Sequence, residues 1–534
     1  MSLLIHQSIY DFAELTPDAV AMCHKKEQFS YAELANSVSA TATALLNLGV
    51  LAGERVATYL PKQPETVFGI FGSSAAGATF VPINPLLKPR QVGYILGHCN
   101  VRVLITSRQR LQLIAGILTD CPDLHTIVVV EDDPPAIAPV PGQQILGWQD
   151  FLVCEGNWLA HRRIDMDMTA ILYTSGSTGN PKGVILSHRN MVAGASSVAG
   201  YLNNTPNDRL LAVLPLSFDA GLSQLTTAFS VGASVVLMDY LLPKDVIRAV
   251  SRYAVTGLAA VPTLWNQLAG LEWPEDAVQS LRYLTNTGGA MPAPTTATLR
   301  QALPNTQIFL MYGLTEAFRS TYLTPDQVDD RPDSIGKAIP NAEVLVVRKD
   351  GSICAPGEPG ELVHRGSLVA MGYWNDSKKT AERFKPCPGH PDELPITELA
   401  VWSGDQVVRD KEGYLYFISR QDEMIKTSGY RVSPTEVEES VYTSGLIASV
   451  AALGLPHPTI GEAIALIATH RDDKRSKAED IKQALMIHCK TELPNFMVPL
   501  EIVFLDRLPL NQNGKIDRRA LREQYLTIFQ DSNT

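Results

Sequence analysis

Thr174-Ser-Gly-Ser-Thr-Gly-Asn-Pro-Lys-Gly183 is the most informative stretch of the chain. It packs three glycines, four hydroxyl residues and one lysine between the apolar run Ala170–Tyr173 and the strand-like segment Val184–Ser187. Such a strand–loop–strand unit exposes many backbone N–H and side-chain O–H donors, and donors of this kind can wrap phosphate oxygens. It is not a P-loop of the Gly-Lys-Ser/Thr type, because the lysine follows a proline. A surface turn built from turn-formers is the bland alternative. The length of the loop and the embedded Lys182 favour phosphate binding.

Outward from this loop, strand patterns alternate with helix-length segments through the first 330 residues. Tyr31–Leu48 has helical spacing. Arg55–Leu60, Thr79–Ile83, Val101–Thr106, Thr126–Val130, Leu210–Leu214 and Ser234–Met238 read as strands. That alternation predicts parallel α/β layers, arranged as two subdomains. From Ser334 to Phe417, strand-like pieces are split by Asp350-Gly351, Pro356-Gly357, Pro359-Gly360 and Glu412-Gly413, which predicts a β-rich, barrel-like subdomain. After Ile418 the pattern becomes α+β, long enough to fold as a small domain of roughly 110 residues. The expected division is a large domain over 1–421 and a small one over 422–534.

The chain has 534 residues, 45% apolar and 19% charged, with a formal charge of −11. This is a globular composition, and the acidic balance disfavours a nucleic-acid binder. Seven scattered cysteines without a CxxC pair make a disulfide scaffold or structural zinc improbable and fit a reducing cytosol. The N-terminus lacks the basic and apolar regions of a secretory signal. The uncharged run Val67–Leu87 is broken by glycines and prolines, so a packed helix followed by a buried strand is expected, not a membrane span.

Four further segments follow the loop in order: Met311-Tyr-Gly-Leu-Thr-Glu316, Trp402-Ser-Gly-Asp405, Ser419–Val432 and Pro509-Leu-Asn-Gln-Asn-Gly-Lys515. Together with the loop they resemble the ordered motifs of the AMP-forming adenylating enzymes. That superfamily includes acyl-CoA synthetases, nonribosomal peptide synthetase adenylation domains and luciferases. The resemblance covers essentially the whole chain. It implies ATP and Mg²⁺ as cofactors and two half-reactions. A carboxylate first attacks the α-phosphorus of ATP; a thiol then takes the acyl group.

Carried over residue by residue, the resemblance makes Thr174, Ser175, Gly176, Ser177, Thr178, Gly179 and Lys182 the phosphate loop. Gly288, Gly289 and Ala290 lie along the adenine edge, where the bland reading is a tight turn. Met311, Tyr312 and Gly313 also belong to the nucleotide site, with Tyr312 flat on the base. Thr315 contacts the α-phosphate and Glu316 holds Mg²⁺; a carboxylate beside phosphate oxygens suits that ion. Asp405 offers two acceptors to the ribose diol, and Arg420 donates to ribose or phosphate. Lys515 bridges the substrate carboxylate and the α-phosphate, stabilising charge that develops in the transition state. Asp422 occupies the hinge about which the small domain turns between half-reactions, and Gly429 lines the thiol channel. Lys426 reads equally as a phosphate contact and as a solvated lysine.

The acid is read from Phe218-Asp219, which resembles the Phe-Asp pair of amino-acid-activating domains. There the aspartate pairs with the substrate ammonium. A buried carboxylate is costly unless paired, and an amine supplies the partner. Helix N-capping is the alternative role for this Asp. Ala220, Ser223, Ala259, Thr285, Thr287, Met311, Arg319 and Ser320 align with the remaining pocket positions. They are mostly small, which suggests a small amino acid. Arg319 stands out: it could face solvent, meet an acidic acceptor, or pair with Asp219. The chain is most similar to stand-alone amino acid–carrier protein ligases of bacterial secondary metabolism, some of which load L-proline. Nineteen residues follow Lys515, too few for a carrier domain, so a separate carrier protein or coenzyme A is the expected thiol partner. A carboxylic acid–CoA ligase is the alternative.

Overall fold

In the computed structural model, the described residues are 2–133, 140–153, 159–174, 181–391, 393–420, 425–427, 430–457, 460–471, 478–493, 495–511 and 514–529. The expected elements form for identifiable local reasons. The helix Tyr31–Asn47 starts at a capping box, in which Ser30 Oγ accepts from the Glu33 N–H (3.2 Å) and the Glu33 carboxylate accepts from the Ser30 N–H (2.8 Å). The uncharged run becomes the helix Pro64–Ala76, opened by proline and ended by the left-handed Gly77. The strand Thr79–Pro82 follows, buried along its whole length. Both elements are sandwiched inside the protein, which explains an apolar run without a membrane. No described helix is long and apolar enough to cross one.

Two α/β sheets carry the site. In the first, the strands Met168–Thr174, Thr79–Pro82, Arg55–Tyr59, Val101–Thr106, Thr126–Val129 and Gln144–Gly147 run parallel. The strand Lys182–Ser187 folds back antiparallel on Met168–Thr174, with Thr174 opposite Lys182. The glycine-rich stretch is therefore the loop of a hairpin, and Ser175–Asn180 lie outside the described residues.

In the second sheet, six strands run parallel in the order Gln307–Tyr312, Tyr283–Asn286, Gly257–Ala260, Arg209–Ala212, Ser234–Leu237 and Val20–His24. The short strand Thr321–Leu323 then pairs antiparallel with Gln307–Tyr312 on one side and with Ser334–Ala338 on the other. Through this link the β-rich part, with the strands Leu415–Arg420, Leu399–Arg409, Gly360–Gly366 and Ala342–Val347, continues the sheet. Ala342–Val347, the edge strand, also lies near Ser334–Ala338, which it follows in the chain, with no ladder between them among the described residues.

The small C-terminal part packs the helices Pro434–Thr443 and Ala478–Glu492 against a sheet centred on the hairpin Ile447–His457 and Gly461–His470. Its two apolar cores, around Val437 and Leu485 and around Leu455 and Leu521, share no residue with those of the large part. The fold is thus the mixed α/β arrangement expected, a large N-terminal part and a smaller C-terminal one. The expected boundary falls among residues 421–424, outside the described residues.

Candidate active site

Open parallel sheets bind ligands beyond the carboxyl ends of their strands, where the strand order reverses. Here that point is Arg209–Ala212, flanked by strands that follow it in the chain on both sides. Beyond it the chain turns through Pro215 into the helix Asp219–Ser230, eleven of whose twelve residues are buried. Gly221 permits this seating, because a Cβ there would lie 1.9 Å from the Pro215 carbonyl oxygen.

Phe218, not Asp219, is the N-cap, and its side chain caps nothing. Asp219 is the first helical residue, with Oδ1 accepting from the Ala220 N–H at 2.8 Å. Asp219 thus satisfies one N–H of the first turn, as the capping alternative expects, but from the first helical position and not from the N-cap. Burial pushes the Asp219 carboxyl up from its ordinary value, and the Arg319 and Lys515 charges oppose that push.

Of the expected pocket residues, Ala220, Ser223, Ala259, Thr285, Met311 and Arg319 line one cavity, whereas Phe218, Asp219, Thr287 and Ser320 are not among its lining. Arg319 points inward; the solvent-facing alternative is wrong because the residue is 6% exposed. Its Nη1 donates to Thr287 Oγ1 at 3.1 Å, which attaches Thr287 to the same wall. The buried Ser320 hydroxyl has no hydrogen-bond partner.

The residues expected to hold the nucleotide gather at the ends of the next strands. Gly288, at φ +81°, follows Tyr283–Asn286, and the neighbouring Gly289 carbonyl accepts from Asn286 Nδ2 at 2.8 Å. Ala290 follows directly. Tyr312 ends its strand, and the backbone of Gly313 passes closely beneath Arg319. The Tyr312 hydroxyl donates to Asp405 Oδ2, and Arg420 Nε donates to Asp405 Oδ1 at 2.8 Å. Asp405 thus holds both neighbours in place, and a ribose diol would use its remaining lone pairs. His364 lies parallel behind Tyr312 at 6.2 Å; burial, with Arg383 nearby, pushes its imidazole down to about 3, so it is a neutral backing ring.

Thr315 and Glu316 start a buried helical turn after that strand. Glu316 Oε1 accepts from the Tyr373 hydroxyl at 2.5 Å, and its other oxygen accepts no hydrogen bond among the described residues. The oxygen left open on Glu316 suits Mg²⁺ as phosphate-binding enzymes hold it, on one or two carboxylates completed by phosphate oxygens and water. Lys182 Nζ stands 5.4 Å over the Tyr373 ring, and burial, then Lys379, lower its pKa.

Lys515 reaches this site from the C-terminal part. A turn in which the Asn511 N–H donates to the Lys515 carbonyl and Asn511 Oδ1 accepts from the Lys515 N–H presents it. Its Nζ lies 5.6 Å from the Phe218 ring centre, and a Cβ on Gly288 would come 2.8 Å from its Cε. Thr263 Oγ1 fixes the turn by donating to the Gly514 carbonyl at 2.8 Å.

Ser175, Gly176, Ser177, Thr178, Gly179, Asp422 and Gly429 lie outside the described residues. Three further residues are absent from the sequence expectation: Tyr373, His364 and Arg383, whose buried Nε has no partner. A single sequence carries no spacing signal for them, since each acts across the fold.

A two-part α/β fold with its crevice at the strand reversal, closed over by a lysine from the smaller part, defines a nucleotide-binding enzyme architecture. The model of the AMP-binding enzymes matches residues 9–374, and that of their C-terminal domain matches 436–515. The chain belongs to this family of AMP-binding enzymes.

It is 32% identical to an L-proline--[L-prolyl-carrier protein] ligase of Streptomyces coelicolor, over 93% of this chain and 92% of that one. It is 30% identical to a feruloyl-CoA synthase of an Amycolatopsis species, over 96% and 97%. The solved anthranilate CoA ligase AuaEII, in complex with anthranoyl-AMP, superposes with a TM-score of 0.87 at 26% identity, over 98% of both chains. The chain spans only 10% of the length of a linear gramicidin synthase from Brevibacillus parabrevis, to which it is also similar.

Proposed function

We propose that the protein activates a small amino acid as its acyl-adenylate and passes the acyl group to the phosphopantetheine thiol of a separate carrier protein. The position of Lys515 carries the reading: its Nζ stands 5.6 Å from the Phe218 ring centre, and its charge bears on the carboxyl of Asp219, the next residue. An amino acid held between Lys515 and Asp219 has a cation beside its reacting oxygen and an anion for its ammonium. The carboxylate oxygen bonds to the α-phosphorus and pyrophosphate leaves. The thiol sulfur then bonds to the acyl carbon, AMP leaves, and the thiol proton passes to solvent.

Lys515 and Lys182 neutralise the meeting anions and, with a hydrogen bond from Thr315, align them, the main demands of phosphoryl chemistry. Tyr312, Asp405 and Arg420 hold the nucleoside, with Gly288, Gly289 and Ala290 along the base. Bound Mg²⁺, on Glu316, would offset phosphate charge. Asp422 serves as hinge and Gly429 lines the path of the thiol. L-proline is one member of the acid class, supported by the relative that loads it. Carboxylic acid–CoA ligation is the second reading, supported by the similarity to feruloyl-CoA synthase.

The test is ATP–pyrophosphate exchange over amino acids and amine-free acids, followed by thioester assays with carrier protein and CoA. A response to an amino acid that Asp219→Ala weakens at least tenfold in kcat/KM supports the reading. An unchanged Asp219→Ala, or a response only to amine-free acids, overturns the ammonium partner in favour of the CoA ligase.

A further inference from the structure

Arg319 lines the acid cavity, and Asp219 opens the helix whose next residues, Ala220 and Ser223, line it too; the two opposite charges do not touch. Asp219 and Arg319 are each 6% exposed. Neither takes part in an ion pair within 4.0 Å among the described residues. Among the described residues, Asp219 receives only the Ala220 N–H, Arg319 gives only Nη1 to the neutral Thr287 hydroxyl, and the buried Arg319 Nε meets no acceptor.

The fold holds the arginine in this state. Phe318, fully buried, takes the left-handed conformation at φ +49°. Its ring fills the space over Gly194, where a Cβ would lie 2.5 Å from it. A bulky residue in that region is strained, and such strain persists only where the surroundings enforce it. The forced turn at Phe318 directs the next side chain into the cavity.

A buried guanidinium is retained at low cost only if something anionic meets it. Its fork suits a carboxylate best. An amino acid with a single carboxylate leaves Arg319 unmatched and sets its ammonium near a second cation. We infer that the acid activated here is an amino dicarboxylic acid: Asp219 receives its ammonium, Arg319 its second carboxylate, and the remaining carboxylate meets Lys515. This narrows the proposed amino-acid substrate and rests on that reading of Asp219. Proline satisfies Asp219 but brings nothing to Arg319.

The test compares ATP–pyrophosphate exchange by the whole chain with aspartate, glutamate and 2-aminoadipate, with alanine and proline, and with succinate and glutarate. The expected result is a preference for one amino dicarboxylic acid. Arg319→Met should then lower kcat/KM for it by about 100-fold, because an unpaired buried polar group rejects strongly. The KM for ATP should stay unchanged, and the preference should move toward alanine or proline. A generally damaged protein would lose both; if Arg319→Met does not fold, Arg319→Lys should raise the KM of the acid at constant KM for ATP. A wild-type preference for proline or alanine overturns this inference and leaves adenylation and Asp219 standing. A preference for the amine-free diacids overturns it together with the ammonium reading. Exchange with none of the acids overturns the proposed function as well.

Discussion

At the scale of single residues, the site depends on a few contacts that tolerate no added atom. Lys515→Ala should reduce acid-dependent ATP–pyrophosphate exchange by about 100-fold, the order seen when one oxyanion donor is lost. ATP affinity, measured by direct titration, should be retained. Unchanged exchange would remove Lys515 from the first half-reaction. Gly221→Ala should destabilise the protein by about 1–3 kcal/mol, as overpacking does. The new methyl meets a backbone oxygen at 1.9 Å, so the start of the Asp219 helix must shift. Thermal melting gives the first effect and the KM of the acid, which should rise, gives the second. Both lysines and Asp219 are legible in the sequence because each sits in a run with recognisable spacing. Tyr373, Arg383 and His364 are not, because they meet Glu316, Gly404 and Tyr312 only through tertiary packing.

Among the elements, the second α/β sheet is pinned at one end by Asp208. This buried carboxylate accepts from Arg282 Nη2 at 2.9 Å and Nε at 3.1 Å, from Thr256 Oγ1 at 2.7 Å and from the Thr205 N–H at 2.8 Å. It thereby ties the starts of the strands Arg209–Ala212 and Tyr283–Asn286. Burial raises its pKa, but the Arg282 and Thr256 hydrogen bonds outweigh that, so the folded value lies below the unfolded one. Its contribution is therefore present above the unfolded pKa, about 4, and is lost as pH falls through the lower folded value. Asp208→Asn should cost about 1–3 kcal/mol at neutral pH, read from urea unfolding. The difference from wild type should shrink on acidification; a constant difference would show that the carboxylate charge is not involved. At this scale strands and helices were readable from periodicity and turn residues. The junction through Thr321–Leu323 was not, since a three-residue strand leaves no period to detect.

At the scale of the whole molecule, Lys515 lies between Phe218 and Gly288 while Thr263 Oγ1 donates to the Gly514 carbonyl and Asn266 Nδ2 donates to the Ala448 carbonyl at 3.3 Å. The proposed two-step reaction requires these contacts to part before a thiol enters. Cysteines introduced as Asn266→Cys and Ala448→Cys and joined by a short bis-maleimide should leave acyl-adenylate formation intact and abolish thioester formation. The six described native cysteines are buried, so labelling should be selective in a Cys154→Ser background. Thioester formation at the wild-type rate in the linked protein would refute the rotation. The division into a large and a small part was legible from the change in texture after Ile418, whereas which surface the small part presents depends on contacts far apart in sequence.

The large part behaves differently, because one hydrogen-bonded ladder runs from Val20–His24 through the crevice into the β-rich region. Under the proposed function, base, ribose and acid would thus be received on a single woven frame with no seam between them. Solvent deuterium should consequently enter the amides of 310–312 and 321–323 at one common slow rate, set by opening of the frame itself. The turn around Lys515 should exchange far sooner. The enzyme would then keep its measuring surface fixed and move only the part that delivers the charge.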